Sequence, residues 1–236
     1  MRAIYGLWLA LAALLLGACD AGAADNPSDY RYRLTVEVET PQGLKAGSSV
    51  IEVKQRLVRP GSDPISIGVE RRARGEAVTV DLPDGRTLFA LLRSKDDSDW
   101  AAIIMQSLAP DGVGEGYVEQ LNNMLLIEGV QELPRMRPPL DEQSAYPMLV
   151  TFGDIDDPTS LERVDPDDLA ATFGEGVSLK RITVQITDDP VTTGIEERLG
   201  WILDPNVMEN PGWASLPRET REVLIGVRAG KVGSEK

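Results

Sequence analysis

No histidine occurs among the 236 residues. That absence removes Ser-His-Asp and Cys-His hydrolase chemistry, zinc sites built on imidazole, and any unperturbed imidazole base near neutral pH. Cysteine is almost as scarce. Cys19 is the single example, so no disulfide can close within the chain and packing must hold the fold. Cations are outnumbered, with 24 Lys and Arg against 38 Asp and Glu, for a formal charge of −14. Nonspecific nucleic-acid binding relies on Lys and Arg displacing counterions from phosphates, so no nucleic-acid partner is expected. The same composition predicts repulsion from anionic lipid head groups and no polybasic face to overcome it. Internal repeats and low-complexity tracts are also missing. What remains is carboxylate, lysine, hydroxyl and tyrosine chemistry, with no cofactor implied.

What is present begins with a targeting pattern. Met1-Arg2 precedes an uninterrupted apolar run over residues 3–16, followed by Leu16-Gly17-Ala18-Cys19-Asp20 and then polar sequence. A cationic start, a short apolar stretch and small residues make up an export signal, and the run is short of the ~20 residues a membrane span needs. Leu16, Gly17, Ala18 and Cys19 resemble the lipobox of bacterial lipoprotein precursors. That resemblance implies removal of residues 1–18, diacylglycerol on the Cys19 thiol, palmitate among its acyl chains, and a membrane partner reached through lipid. Each buried methylene would add about 0.8 kcal/mol to the anchor. Asp20 is similar to the signal that keeps enteric lipoproteins in the inner membrane, which implies a periplasm-facing site in the cell envelope. The alternative is an ordinary signal peptide cut after Ala23 or Ala24, which discards Cys19 and leaves a soluble periplasmic or secreted protein.

Residues 19–29 are small and polar and predict a flexible tether. Tyr30, Tyr32, Leu34, Val36 and Val38 then alternate with polar residues, the period of a half-buried strand. Further strands are expected over 50–58, 65–69, 77–82 and 87–92, with Pro83-Asp84-Gly85 as a turn. The period changes at Trp100, Ile103, Ile104 and Leu108, after the cap cluster Asp96-Asp97-Ser98-Asp99, and again at Tyr117, Leu121, Met124 and Leu125. These are two amphipathic helices. A first part over 30–133 is followed, across the breaker 134–139, by a second over 140–236, the two being separate or one continuous domain. The second part predicts strands over 148–152 and 177–187 and a helix over 166–173 with Asp165 as its cap. A capping box at Thr193-Gly194-Ile195-Glu196 opens a helix carrying Ile195, Leu199 and Ile202, and a last helix runs over 217–226. The fold class is α+β, an antiparallel β-rich N-terminal part followed by a mixed α/β C-terminal part.

Few residues suggest chemistry. Asp154, Asp156 and Asp157 follow a strand end, where carboxylates can converge on a hard cation or act as an acid and base pair. Such clusters before Pro158-Thr159-Ser160 equally start turns and cap helices, and the calcium-loop glycine and distal glutamate are absent. Asp165, Asp167 and Asp168 read as capping residues, and Gly112 to Gly116 as a linker lacking the lysine of a phosphate loop. Ser178 and Lys180, two apart in a strand, share a face. Trp201 and Trp213 suggest either core anchors or a ligand platform. Stretches such as Val177 to Thr183 and Pro190 to Gly194 resemble uncharacterised proteobacterial proteins. The reading that follows is a membrane-tethered, nonenzymatic binding domain with an envelope protein partner; the alternative is a carboxylate-dependent hydrolase acting on envelope glycan or peptide.

Overall fold

The computed structural model describes residues 26–58, 67–138, 140–210 and 212–232, so the signal segment, Cys19, Asp20 and the start of the tether lie outside the described residues. Three strands open the fold: β1 (Tyr30–Glu39), β2 (Lys45–Val58) and β3 (Gly68–Arg74). β4 (Val78–Asp81) and β5 (Thr87–Ala90) lead into helix α1 (Trp100–Ser107) and the short helix α2 (Tyr117–Leu121). β6 (Gln131–Glu132), β7 (Met136–Arg137), β8 (Leu140–Ser144), β9 (Leu149–Phe152) and β10 (Leu161–Val164) follow. Helix α3 (Leu169–Phe173), β11 (Ser178–Ile186), several 3-10 turns and helix α4 (Arg218–Val232) complete it. The result is a β-rich α+β fold.

One sheet has the order β3-β2-β1-β11-β6 and a second the order β10-β9-β5-β4, with every strand pair antiparallel. Each sheet draws strands from both sides of residues 134–139, so the breaker is a crossing between sheets and not a boundary. The alternation in β1 behaves as its period requires. Tyr30, Tyr32, Leu34, Val36 and Val38 are buried and the residues between them half-buried. Their face packs with Ile51, Val53, Ile182 and Val184 against Trp100, Ile104 and Met105 of α1 and against Val78, Val80, Leu88 and Ala90 of the second sheet. Two buried polar tips are satisfied there: the Tyr32 hydroxyl donates to Ala101 O at 2.8 Å and Trp100 Nε1 to Ala145 O at 3.0 Å.

The second sheet is covered on both faces. β5 and β9 are buried at every position. Leu88 and Ala90 point into the first core, whereas Phe89, Leu91, Val150 and Phe152 form a second with Ile195, Leu199, Ile202, Val223 and Leu224. The C-terminal chain is thus a third layer. It is also tied by charge, because Arg198 grips Asp81 at 2.6 and 2.8 Å. That guanidinium, helped by Thr87 and opposed by burial, holds the Asp81 carboxyl below its ordinary value. A lowered folded pKa stabilises above the unfolded value and is lost as pH falls through the folded one, here below pH 3.8. Arg198→Ala is expected to return the Asp81 titration toward the ordinary value in a carboxyl NMR experiment. The pair is well exposed, so the stability change should stay under about 1 kcal/mol.

Several expectations are corrected by tertiary context. β2 begins at Lys45 rather than Val50, because Gly47, Ser48 and Ser49 pair with Val36, Thr35 and Leu34. β3 covers 68–74, of which the expected 65–69 shares only Gly68 and Val69, residues 65 and 66 lying outside the described residues. Its charged sequence suits an edge strand, where cations discourage further pairing. The Asp96-Asp97 cluster does not cap α1. Asp96 accepts the Ser144 amide at 3.0 Å, and Asp97 pairs with the buried Arg137 at 3.0 Å, so both brace the β7-β8 ribbon. Helix α3 starts at Leu169 with Asp168, not Asp165, accepting the capping amide from Ala171. The expected helix after Thr193 is two 3-10 turns, Ile195–Glu197 and Gly200–Leu203.

Candidate functional site

The acidic loop was the sequence's candidate, and the carboxylates of Asp154 and Asp157 are spent on the chain that carries them. Asp154 Oδ1 accepts the Asp156 amide at 3.0 Å, and Asp157 Oδ1 accepts the amide and hydroxyl of Thr159 at 2.9 and 2.7 Å. Ser160 Oγ closes the loop by donating to the carbonyls of Asp154 and Asp157. Asp157 is therefore the N-cap of the turn Pro158–Ser160. Among the described residues no three His, Cys, Asp or Glu side chains gather as a metal site.

The remaining candidates are placed as follows. Trp201 packs edge-on to Phe152, with centroids 5.6 Å apart, and its Nε1 donates to Ile155 O at 3.0 Å. It pins the acidic loop to the second core, against which Trp213 also packs, and this is the anchoring role of the two readings. Ser178 lies opposite Glu39 on β1, and Lys180 follows it across an irregularity in the strand. The register shifts there, Arg181 opposing Glu37 and Leu179 opposing Val38, so Lys180 is the extra residue of a bulge and its Nζ pairs with Glu39 at 2.7 Å. Gly112 to Gly116 is a connection between α1 and α2, closed by Glu119 Oε2 accepting the amides of Glu115 and Gly116.

A different place concentrates charge. The outer face of β2 and β3 carries a depression of about 350 Å³ lined by Asp29, Lys54, Gln55, Arg56, Glu70 and Arg72. Register builds it: Lys54 lies directly opposite Arg72, and Arg56 opposite Glu70. Glu70 takes Arg56 through Oε2 at 2.5 Å and Arg72 through Oε1 at 2.8 Å. These two hydrogen bonds, Arg56 first, hold the Glu70 carboxyl below its ordinary value against a small opposing effect of burial. One carboxylate thus serves two guanidiniums whose side chains stay 64% and 77% exposed, and Lys54 forms no ion pair among the described residues. Opposed like charges on neighbouring strands cost stability, so this face is not arranged for stability alone.

Charge is unevenly spread along the chain. Residues 26–76 carry nine Lys and Arg against seven Asp and Glu, and the chain's acid excess lies after them. Composition averages over both regions. The signal was present as period-two cations, Lys54 with Arg56 and Arg72 with Arg74, on two neighbouring strands.

The chain enters the domain beside this depression. Asn26 Oδ1 accepts the Leu57 amide at 2.9 Å and Asp29 Oδ1 the Gln55 amide at 2.8 Å. Gln55 Nε2 donates to Ser28 O, and the Ser28 amide donates to Asn122 Oδ1 at 2.8 Å. Residues 26–29 are therefore fastened to the sheet, which shortens the expected tether. Asn122 lies within a stretch, 113–130, in which Val113, Tyr117, Leu125, Leu126 and Val130 are exposed, although Leu121, Met124 and Ile127 are buried. The expected second amphipathic helix is broken there into α2 and the 3-10 turn Asn123–Leu126, so only part of its apolar face reaches the core.

The fold and this face define a two-sheet α+β domain with a cationic rim at its point of chain entry. No family model, no curated protein and no solved structure matches the chain. Among the described residues no helix is long and apolar enough to cross a membrane.

Proposed function

We propose that the chain is a lipid-tethered binding domain of the bacterial cell envelope, anchored through Cys19 and nonenzymatic, with a protein of the envelope as its partner. The observation that carries this reading is the fastening of Asn26, Ser28 and Asp29 to the sheet. From Cys19 to Asn26 an extended chain reaches at most about 25 Å. A thiol acylated at Cys19 would hold the domain within that distance of a bilayer. The fastened end supports a domain that works close to its anchor and not one on a long leash. An inner-membrane site facing the periplasm follows from Asp20 in the same reading. A carboxylate-dependent hydrolase draws no support from Asp154 and Asp157, whose carboxylates are engaged with backbone amides and a hydroxyl of their own loop.

The test is the intact mass of the mature protein from host membranes, together with its fractionation. An N-terminal peptide beginning at acylated Cys19 is expected, and Cys19→Ser should move the protein from the membrane fraction to the soluble one. An unmodified N-terminus at Ala24 or Asp25, with Cys19→Ser fractionating as the native chain does, would reject the anchor.

A further inference from the structure

We propose that Arg71, Tyr30 and Tyr117 form a binding site for a carboxylate, at the edge of the first sheet where β3 meets α1 and α2. The site stands apart from the tether, since it is the same in an acylated and an unmodified chain. Register brings its parts together. On β2 the buried Val53 and Gln55 face inward, and they lie opposite Tyr30 of β1 and Arg71 of β3 respectively. Arg71 therefore points to the helical layer, whereas its neighbours Glu70 and Arg72 turn to the outer face. Two side-chain amides hold the guanidinium: Nε donates to Gln55 Oε1 at 2.8 Å and Nη2 to Gln106 Oε1 of α1 at a long 3.5 Å. Gln55 and Gln106 are themselves fixed through Nε2, to Ser28 O at 2.9 Å and to Gln120 O of α2 at 3.3 Å.

Both partners are neutral, and that is what marks the place. A cation taken partly out of water is normally matched by a carboxylate, because burying it unpaired costs stability. Arg71 is half-buried, yet among the described residues it forms no ion pair and its Nη1 has no acceptor. Burial holds its guanidinium below the ordinary value, opposed by the phenols of Tyr30 and Tyr117. The Tyr30 hydroxyl is a second unused donor: the residue is 5% exposed, and the hydroxyl has no hydrogen-bond partner among the described residues. Tyr117, near enough to act on Arg71 electrostatically, is 45% exposed and gives the site its open side. A guanidinium fork and two phenols supply several donors but a single positive charge. That suits a carboxylate, which a planar fork takes through both oxygens and which brings one negative charge. A phosphate dianion would leave a surplus negative charge part-buried in a chain whose formal charge is already −14.

The test uses the chain from residue 19 onward with Cys19→Ser, which contains every described residue, and titrates it with sodium acetate replacing sodium chloride at constant ionic strength. The Arg71 Nε–H signal in a proton–nitrogen NMR spectrum, identified by its loss in Arg71→Lys, should shift along a saturable curve. Arg71→Lys keeps the charge without the fork and should weaken acetate about tenfold, read on the backbone amides of Gln55 and Gln106. Tyr30→Phe should weaken it by a similar factor while unfolding at the parent's temperature or above it, because the hydroxyl removed has no partner in the fold. A residue that only supported the fold would not separate the two effects. N-acetylalanine should bind and its amide should not. N-acetylalanine binding more tightly than acetate would assign the site to the terminal carboxylate of a peptide, and acetate binding more tightly would assign it to a small free acid. A shift that never saturates, a Tyr30→Phe protein that binds acetate as the parent does, or equal binding of N-acetylalanine and its amide would each overturn the proposal. So would inorganic phosphate binding more tightly than either acid. An unmodified Cys19 in the host would sink the tether while leaving the acetate titration standing.

Discussion

Gly47→Ala is expected to lower the unfolding free energy by about 3 kcal/mol or more, the upper end of what overpacking costs. Gly47 lies on β2 opposite Val36, on the face turned toward the second sheet. A Cβ built there would fall 1.9 Å from the Thr79 carbonyl oxygen, 2.8 Å from its carbon and 3.3 Å from Val78 Cγ1. Two of those atoms are backbone, so no rotamer change can relieve the contact; β4 itself would have to retreat from β2. That retreat opens space above Val78 and Val80, whose side chains are completely or almost completely buried in the first core. Chemical denaturation of the two proteins gives the comparison, with Gly200→Ala as the reference substitution, since nothing stands within 4 Å of a Cβ there. A loss at Gly47 no larger than at Gly200 would mean the sheets are not in contact at this point.

The same residue shows where sequence reading stops. A Gly-Ser-Ser run following Pro41-Gln42-Gly43 has the composition of a connection, which is why the expected strand began only at residue 50. It is strand because β1 offers Leu34, Thr35 and Val36 as partners and because only glycine lets β4 cross so closely. Periodicity carried the parts whose burial is set by one element alone. Tyr30 to Val38 alternates whatever it packs against, and Trp100 with Ile104 marks a helical stripe in any context. Charged residues were read less well, because their roles depend on partners far along the chain. Asp97 has the look of a cap, yet Arg137 claims it. Lys54 and Arg72 become neighbours only through the register of β2 against β3, which no local window contains. Candidate sites inferred from clusters such as 154–157 were visible as clusters, but the carboxylates of Asp154 and Asp157 satisfy nearby amides, the commonest use of aspartate in a turn.

Glu76 gives the clearest case of a role that local sequence assigned to the wrong residue, and its removal should be felt in one layer of the protein. Thr193 was expected to cap the helix beginning at Ile195. Instead Gly194 takes φ +113°, with no side-chain cap of its own, and the carboxylate of Glu76 reaches across to do the work. Its Oε1 accepts the Gly194 amide at 3.0 Å and its Oε2 the Ile195 amide at 2.8 Å, although the residues are more than a hundred positions apart. Glu76 and Ile195 are both 7% exposed, so water would not readily replace the lost acceptor. Hydrogen bonds to a charged group contribute about 1.5–3 kcal/mol, and an abandoned buried donor adds its own desolvation cost. Glu76→Ala should therefore cost about 3 kcal/mol, and Glu76→Gln, which keeps one acceptor oxygen, roughly half of that. The loss should not be uniform. Ile195, Leu199 and Ile202 close the second core from the C-terminal side, so release of their first turn should speed amide exchange across 195–203 more than at Leu34 or Val36 in β1. Exchange accelerated equally in both regions would show that this carboxylate supports the whole fold and not the third layer. Unchanged exchange over 195–203 would show that the C-terminal turns are held by apolar packing alone.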